Sequence, residues 1–157
     1  MLDSRKREIR IKADYFRANC KIGRYGIINH KKEQLSARKY FDELKIKAAD
    51  MTVHMETLSG GNQQKVIIGR WLLTNPDFLI LDEPTRGIDV GTKTEIQKLV
   101  VKLASQGMAV VFISSEIEEM LRTCDRMVVM RDGAKVGELS EDEMNQSNIM
   151  STIAGGQ

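Results

Sequence analysis

Two adjacent carboxylates, Asp82 and Glu83, follow the apolar run Phe78-Leu79-Ile80-Leu81. Such a run is typical of a strand buried on both faces, and open α/β sheets bind ligands where their strands end. At that edge an aspartate can hold a Mg²⁺ ion, directly or through water. A neighbouring glutamate can position or deprotonate an attacking water. Taken alone, the same pair fits two solvated side chains at a strand end equally well.

A second candidate site is the tripeptide Ser59-Gly60-Gly61, which directly precedes a predicted helix. Glycines leave backbone N–H groups accessible at a helix N-terminus, where the helix dipole favours a phosphate. The hydroxyl group of Ser59 adds a further donor. By itself, the tripeptide also fits an ordinary helix cap followed by a flexible pair of glycines.

The elements that would position these residues are helices alternating with short apolar strands. Apolar residues at helical spacing predict helices over 31–44, 62–74, 92–105 and 116–123. Strands are predicted over 78–81, 109–113, 127–130 and 135–139, the first two buried on both faces, with Asp132-Gly133 as a hairpin turn. The pattern from Ser140 to Glu143 fits a capping box that opens a last helix. This order predicts an α/β fold with a mostly parallel sheet.

Composition narrows the possible functions of the 157-residue chain. Its length suits one ordinary domain, and 41% hydrophobic with 29% charged residues is a normal soluble balance. A net charge of +2 gives no reason to expect a nucleic-acid partner. No apolar run is long enough to span a bilayer, and the charged N-terminus does not resemble a signal peptide. The two cysteines, Cys20 and Cys124, are expected to be reduced thiols.

Three strings together are much more specific than either site alone. Leu58-Ser59-Gly60-Gly61-Asn62-Gln63, then Phe78-Leu79-Ile80-Leu81-Asp82-Glu83-Pro84, then Gly87-Ile88-Asp89 occur in the order and spacing of an ABC ATPase cassette. The chain resembles this family from about residue 31 to residue 139. The resemblance implies a partial P-loop NTPase fold with an N-terminal helical subdomain. It divides the chain into a helical portion (1–57), a catalytic-core portion (58–140), and a C-terminal helix and tail (141–157).

The resemblance also implies a role for each candidate residue. In this family two cassettes face each other head to tail, and the signature of one closes over ATP held by the other. The signature residues would bind the γ-phosphate of that nucleotide, and they are Ser59, Gly60, Gly61, Asn62 and Gln63. Asp82 would lie on the Mg²⁺ side, and Glu83 falls at the position of the catalytic glutamate. Asp89 matches the D-loop aspartate, which reaches across the dimer.

Two departures from the family pattern point to a subfamily. No Gly-x-x-x-x-Gly-Lys-Ser/Thr string, the Walker A loop that cradles phosphates, occurs in the sequence. Ser115 takes the place where most active cassettes have a histidine that senses the γ-phosphate. The strings around Asn62, Arg86 and Ser115 resemble the second cassette of monosaccharide importers of the ribose, xylose and galactose types. That cassette typically has a degraded nucleotide site of its own and completes the site of the first cassette.

The resemblance therefore implies part of a sugar-transporting ATPase that uses ATP and Mg²⁺ at the cytoplasmic face of the bacterial inner membrane. Its expected partners are another cassette, in the same parent chain or a second copy, membrane permease subunits, and indirectly a periplasmic sugar-binding protein. No nucleic-acid partner is expected. Two alternatives remain open. The chain can be a non-catalytic module that only pairs with a partner cassette, or part of a non-transport ABC ATPase.

Overall fold

The computed structural model describes residues 23–24, 27–28 and 30–155, and the chain divides into two compact units. The first unit comprises Met1–Asp77 together with Gly87–Lys93, and the second comprises Phe78–Arg86 together with Thr94–Gln157. The domain boundaries expected after residues 57 and 140 stay a prediction.

The first unit is built around two helices, α1 (His30–Glu43) and α2 (Gly60–Leu72). Two short antiparallel strands precede them, β1 (Gly23–Arg24) and β2 (Ile27–Ile28). The hydroxyl group of Tyr40 on α1 donates a hydrogen bond to the carbonyl oxygen of Leu72, 3.0 Å away at the end of α2. The buried apolar side chains of this unit are Ala37, Leu44, Ile46, Met55, Leu58, Val66, Ile68 and Leu72.

The second unit contains a parallel pair of strands, β3 (Phe78–Asp82) and β4 (Ala109–Ile113). Helix α3 (Val90–Ser105) connects them along the chain, as a parallel crossover requires. The register pairs Phe78 with Ala109 at one end and Asp82 with Ile113 at the other. The predicted parallel sheet is therefore confirmed, and Asp82 lies at its carboxyl edge.

The prediction that both strands are covered on both faces is wrong. Leu79 and Leu81 are only 5% and 6% exposed, whereas Phe78 and Ile80 are 53% and 58% exposed. On β4, Val111, the cross-strand partner of Ile80, is also exposed, as is Ile113. Successive side chains of a strand point to opposite faces, so one face of the pair packs inside and the other lies open. We call the open set Phe78, Ile80, Val111 and Ile113 the uncovered face.

The rest of the second unit is a hairpin covered by a helix. After α4 (Ile117–Thr123), β5 (Arg126–Arg131) pairs antiparallel with β6 (Ala134–Ser140). Asp132 and Gly133 both have left-handed backbones (φ 51° and 78°), as the predicted two-residue turn requires. The hairpin packs with α5 (Gln146–Ala154) around a core of Met127, Val129, Leu139 and Ile149.

The predicted capping box exists, but it does not open the last helix. The carboxylate of Glu143 accepts hydrogen bonds from the backbone N–H and the hydroxyl group of Ser140, at 2.9 and 2.6 Å. These contacts close a 3₁₀ turn over Glu141–Glu143, and the chain then becomes extended at Met144. Helix α5 has its own cap, because the side-chain oxygen of Asn145 accepts from the N–H of Asn148 at 2.9 Å.

The described residues contain no helix that is both long and apolar enough to cross a bilayer. Cys124 has no disulfide partner among the residues that the structure describes, and Cys20 lies outside them. Burial is the main cause that raises the pKa of the Cys124 thiol, while a hydrogen bond with Thr123 acts in the opposite direction. A raised thiol pKa favours the protonated, unreactive form.

Candidate functional site

The signature-like segment lies at the start of α2, in the first unit. Ser59 has an extended backbone and its carbonyl oxygen accepts the first helical hydrogen bond, from the N–H of Gln63 at 3.0 Å. The side chain of Ser59 makes no capping hydrogen bond to this helix. The first N–H groups of a helix have no partner within it. Backbone donors at Gly60, Gly61 and Asn62 are therefore arranged as they would be for an anion.

Side chains of the same segment hold the serine in place. The side-chain amide of Asn62 donates to the hydroxyl oxygen of Ser59 at 2.8 Å, and its carbonyl oxygen accepts from the backbone N–H of Lys47 at 2.8 Å. The side-chain amide of Gln63 donates to the carbonyl oxygen of Leu58 at 2.9 Å. The hydroxyl oxygen of Ser59 is thus used as an acceptor, which leaves its proton for an approaching anion.

The two glycines of the segment have different surroundings. A Cβ atom added at Gly60 would meet only Ile88, whose Cγ2 atom lies 3.7 Å away, an ordinary contact. A Cβ atom added at Gly61 would lie 2.4 Å from Cγ2 of Thr92 and 2.8 Å from its Cβ atom, which is a clash. Packing against Thr92 therefore explains the absence of a side chain at Gly61. No contact among the described residues requires the absence of a side chain at Gly60.

In the second unit the structure brings together two of the predicted residues, Glu83 and Ser115. The backbone N–H of Ser115 donates to the carboxylate of Glu83 at 3.0 Å, and the N–H of Glu83 donates to the carbonyl oxygen of Ile113 at 2.9 Å. Glu83 has a left-handed backbone (φ 46°), which strains any residue other than glycine. The glutamate is therefore held at the carboxyl edge of the β3–β4 pair by the loop after β4.

Asp82 is the natural place to look for a metal ligand at this edge. Its side chain is exposed at the end of β3, but no group of three or more potential ligands is present in the described residues. A Mg²⁺ ion usually keeps several waters and takes one or two carboxylates plus phosphate oxygens. One exposed carboxylate fits that demand when a nucleotide supplies the remaining ligands.

Asp89 is already engaged within the first unit. Its two carboxylate oxygens accept from the backbone N–H and the hydroxyl group of Thr92, at 2.9 and 2.8 Å. The hydrogen bond from the Thr92 N–H, and next the one from its hydroxyl, hold the pKa of Asp89 below its usual value. Asp89 therefore caps the start of α3, and its role across a dimer stays a prediction.

Sequence reasoning missed one residue, Glu119 on α4. Its carboxylate is only 3% exposed and accepts from the hydroxyl groups of Thr85, at 2.6 Å, and Ser114, at 2.8 Å. A glutamate in the first turn of a helix usually looks like a solvated partner of the helix dipole. The sequence pattern of the predicted helix over 116–123 therefore gave no signal that this glutamate is buried.

A comparison with known families shows what kind of chain carries these features. The family described as "ABC transporter" matches residues 3–86, more than half of the chain. The chain belongs to this family. Its signature segment and the strand that ends in Asp82-Glu83 both lie within the matched range.

Curated relatives of the chain are ATP-binding proteins of sugar importers. It is 52% identical to the fructose import ATP-binding protein FruK of Bifidobacterium longum over 133 residues, which cover 84% of this chain and 26% of FruK. It is 45% identical to the xylose import ATP-binding protein XylG of Geobacillus kaustophilus over 137 residues, covering 87% of this chain and 27% of XylG. The chain thus spans about a quarter of the length of these relatives.

A solved ABC structure supports the fold assignment. The ATP-binding cassette MJ0796, as a dimer in a post-hydrolysis state bound to ADP and phosphate, superposes with a TM-score of 0.66 at 26% identity. The match covers 75% of this chain and 51% of that cassette. The structure described above is accordingly that of a fragment of a P-loop NTPase cassette. The roles of its site residues stay predictions.

Proposed function

We propose that this chain is part of the ATP-binding subunit of an ABC importer for monosaccharides, and that its signature segment completes an ATP site held by another cassette. The observation that carries the proposal is the start of α2 at Gly60, where the side chain of Ser59 leaves the first backbone N–H groups uncapped. The relatives of the chain are sugar import ATP-binding proteins. The dimer of the related cassette with bound ADP and phosphate supports a second cassette as the partner.

In this mechanism the chain contributes electrostatic stabilisation across an interface. The backbone N–H groups of Gly60 and Gly61 and the hydroxyl group of Ser59 would donate to the γ-phosphate, where negative charge must be balanced during hydrolysis. The chain would also contribute to a second nucleotide site, its own, which contains Asp82 and Glu83. There Asp82 would be the protein's ligand for a Mg²⁺ ion, which would neutralise phosphate charge. Glu83 would position water there. With serine in place of histidine at Ser115, that second site would be the weaker one.

The proposal places the chain with permease subunits at the cytoplasmic face of the bacterial inner membrane, with a periplasmic sugar-binding protein as an indirect partner. The names of the relatives support this placement, since they are import ATP-binding proteins for fructose and xylose. Which sugar is carried would be decided by those partners.

The proposal is tested by substitutions in a full-length two-cassette ATPase that contains this segment. Gly60→Asp puts a carboxylate where the phosphate would bind, and Ser59→Ala removes a donor. We expect ATP turnover to fall at least about tenfold for Gly60→Asp, and more for either variant than for Glu83→Gln. Gly60→Ala is the matched steric comparison, because its Cβ atom would meet Ile88 at an ordinary 3.7 Å, so that a loss of turnover in it reports approach of the phosphate and not misfolding. A loss at Glu83→Gln that equals or exceeds the others contradicts the proposal.

A second candidate function concerns the chain on its own, as a non-catalytic module that pairs with a partner cassette. The absence of a Gly-x-x-x-x-Gly-Lys-Ser/Thr string from the sequence favours it. We expect the isolated chain to release no phosphate from ATP above the rate of a Glu83→Gln control. Sustained Mg²⁺-dependent release that co-purifies with the chain and is lost in that variant would rule this out.

A further inference from the structure

A buried carboxylate joins the two loops that carry Glu83 and Ser115. Glu119 uses one oxygen, Oε2, to accept hydrogen bonds from Thr85, at 2.6 Å, and from Ser114, at 2.8 Å. Thr85 follows Glu83 by two positions, and Ser114 directly precedes Ser115. We call Glu119, Thr85 and Ser114 the hydroxyl clamp.

The chemistry of the hydroxyl clamp makes its geometry stiff. Thr85 and Glu119 are only 1% and 3% exposed, so water competes little for these hydrogen bonds. A buried carboxyl group is costly unless it is hydrogen-bonded, and removing one of its donors leaves that cost uncompensated. Because both hydroxyl groups point to the same oxygen, a shift of either loop disturbs the other.

Glu83 needs such support, because its own conformation is strained. Its φ of 46° places a non-glycine residue in the left-handed region, which costs about 1–2 kcal/mol. The local contacts that hold it are backbone bonds to Ile113 and Arg86 and the bond from the Ser115 N–H to its carboxylate at 3.0 Å. Strain of this kind persists only where the surroundings fix the backbone.

We propose that Glu119 is a positioning residue, which acts through Thr85 and Ser114 to keep the Glu83 carboxylate on the N–H of Ser115. The link to catalysis rests on the proposed function, which assigns Glu83 to a nucleotide site. The positioning itself is a property of these two loops and can be measured without nucleotide. Its failure is therefore distinguishable from failure of the proposed function, which is read from the Gly60 and Ser59 variants.

The experiment is site-resolved amide hydrogen exchange on the nucleotide-free chain, with Thr85→Val and Ser114→Ala as variants that keep Glu119 in place. Thr85→Val removes one hydroxyl donor at nearly constant side-chain volume, and Ser114→Ala removes the other with only a small loss of volume. We expect exchange at the Ser115 N–H to accelerate about tenfold in each variant, which corresponds to loss of about one hydrogen bond. Exchange at the N–H of Phe112, within β4, should stay as in the parent chain.

Two further variants separate positioning from general stability. Thr85→Ser keeps the hydroxyl group and should restore slow exchange at Ser115. Thr123→Val removes a hydroxyl group from the same helix, where it donates to the backbone carbonyl of Glu119 at 2.7 Å, and should leave Ser115 unchanged. Unchanged exchange at Ser115 in both clamp variants, or an equal acceleration at Phe112, would overturn the proposal.

Discussion

The two neighbouring glycines at the start of α2 differ in whether the chain itself leaves room for a side chain. Gly61 lies against the β-branched side chain of Thr92, whereas Gly60 faces only Ile88 at ordinary contact distance. The resemblance to the signature motif assigns both to the bound phosphate. Here the chain itself accounts for Gly61, so Gly60 is the better reporter of nucleotide binding.

We expect Gly61→Ala to destabilise the isolated chain by about 1–3 kcal/mol, the usual cost of forcing an extra methyl group into a packed site. Gly60→Ala should leave stability within about 0.5 kcal/mol or raise it slightly, because alanine is the better helix former. Denaturant unfolding of the two variants beside the parent chain measures both. Equal midpoints for Gly60→Ala and Gly61→Ala would show that Thr92 yields without cost.

At the scale of elements, the end of the chain shows how a correct pattern can be placed on the wrong element. Ser140 and Glu143 form the predicted side-chain contacts, but around a 3₁₀ turn, while Asn145 caps α5. The hydroxyl group of Ser140, followed by its N–H, lowers the pKa of Glu143. Because the pKa of Glu143 is lower in the folded chain, its hydrogen bonds stabilise the fold at pH values above the ordinary carboxyl pKa. That stabilisation is lost as pH falls through the folded pKa.

We predict that Asn145→Ala weakens the second unit by about 1 kcal/mol, since it removes the side-chain cap at the N-terminus of α5. Near neutral pH, Ser140→Ala should lower the free energy of unfolding by less than Asn145→Ala does. It should also raise the pKa of Glu143 toward its usual value. Unfolding midpoints and an NMR titration of Glu143 measure the two effects. A larger loss from Ser140→Ala than from Asn145→Ala would show that the 3₁₀ turn is what holds α5.

Sequence patterns located most elements because their signals are local. Apolar runs and helical spacing placed β3, β4 and α3 to within a few residues, and Asp132-Gly133 placed the hairpin. The absence of earlier strands led us to expect part of the apolar layer to be uncovered, but the exposure of Ile80 in particular could not be predicted, since cover for a strand face comes from residues far away in the sequence. The approach of Thr92 to Gly61 and the burial of Glu119 were missed for the same reason. The contact between Glu83 and Ser115 was not predicted either, because it joins two loops that are far apart in the sequence.

At the scale of the whole molecule, the uncovered face is the feature that we expect to govern association in solution. It presents Phe78, Ile80, Val111 and Ile113 on one side of a two-stranded parallel pair. Parallel sheets are normally covered on both faces, and strands with bare edges tend to pair with other chains. The chain therefore has a reason to associate that does not depend on nucleotide.

We expect the isolated chain to form dimers or larger species at micromolar concentration, and Ile80→Lys to shift it toward monomer. Leu35→Lys is the matched control, because Leu35 is equally apolar and 72% exposed but lies on α1, away from the uncovered face in sequence and unit. Sedimentation velocity at several concentrations distinguishes these outcomes. A single monodisperse monomer of the unaltered chain would count against association through this face.

The uncovered face also has a consequence for the amount of this polypeptide in a living cell. Chaperones and proteases act on chains whose apolar surface stays accessible after synthesis. Phe78 and Ile80 are exposed in this chain, so we expect its lifetime in a cell to be longer when another surface covers them. We therefore expect the steady-state amount of the chain to follow the supply of a surface that covers these side chains.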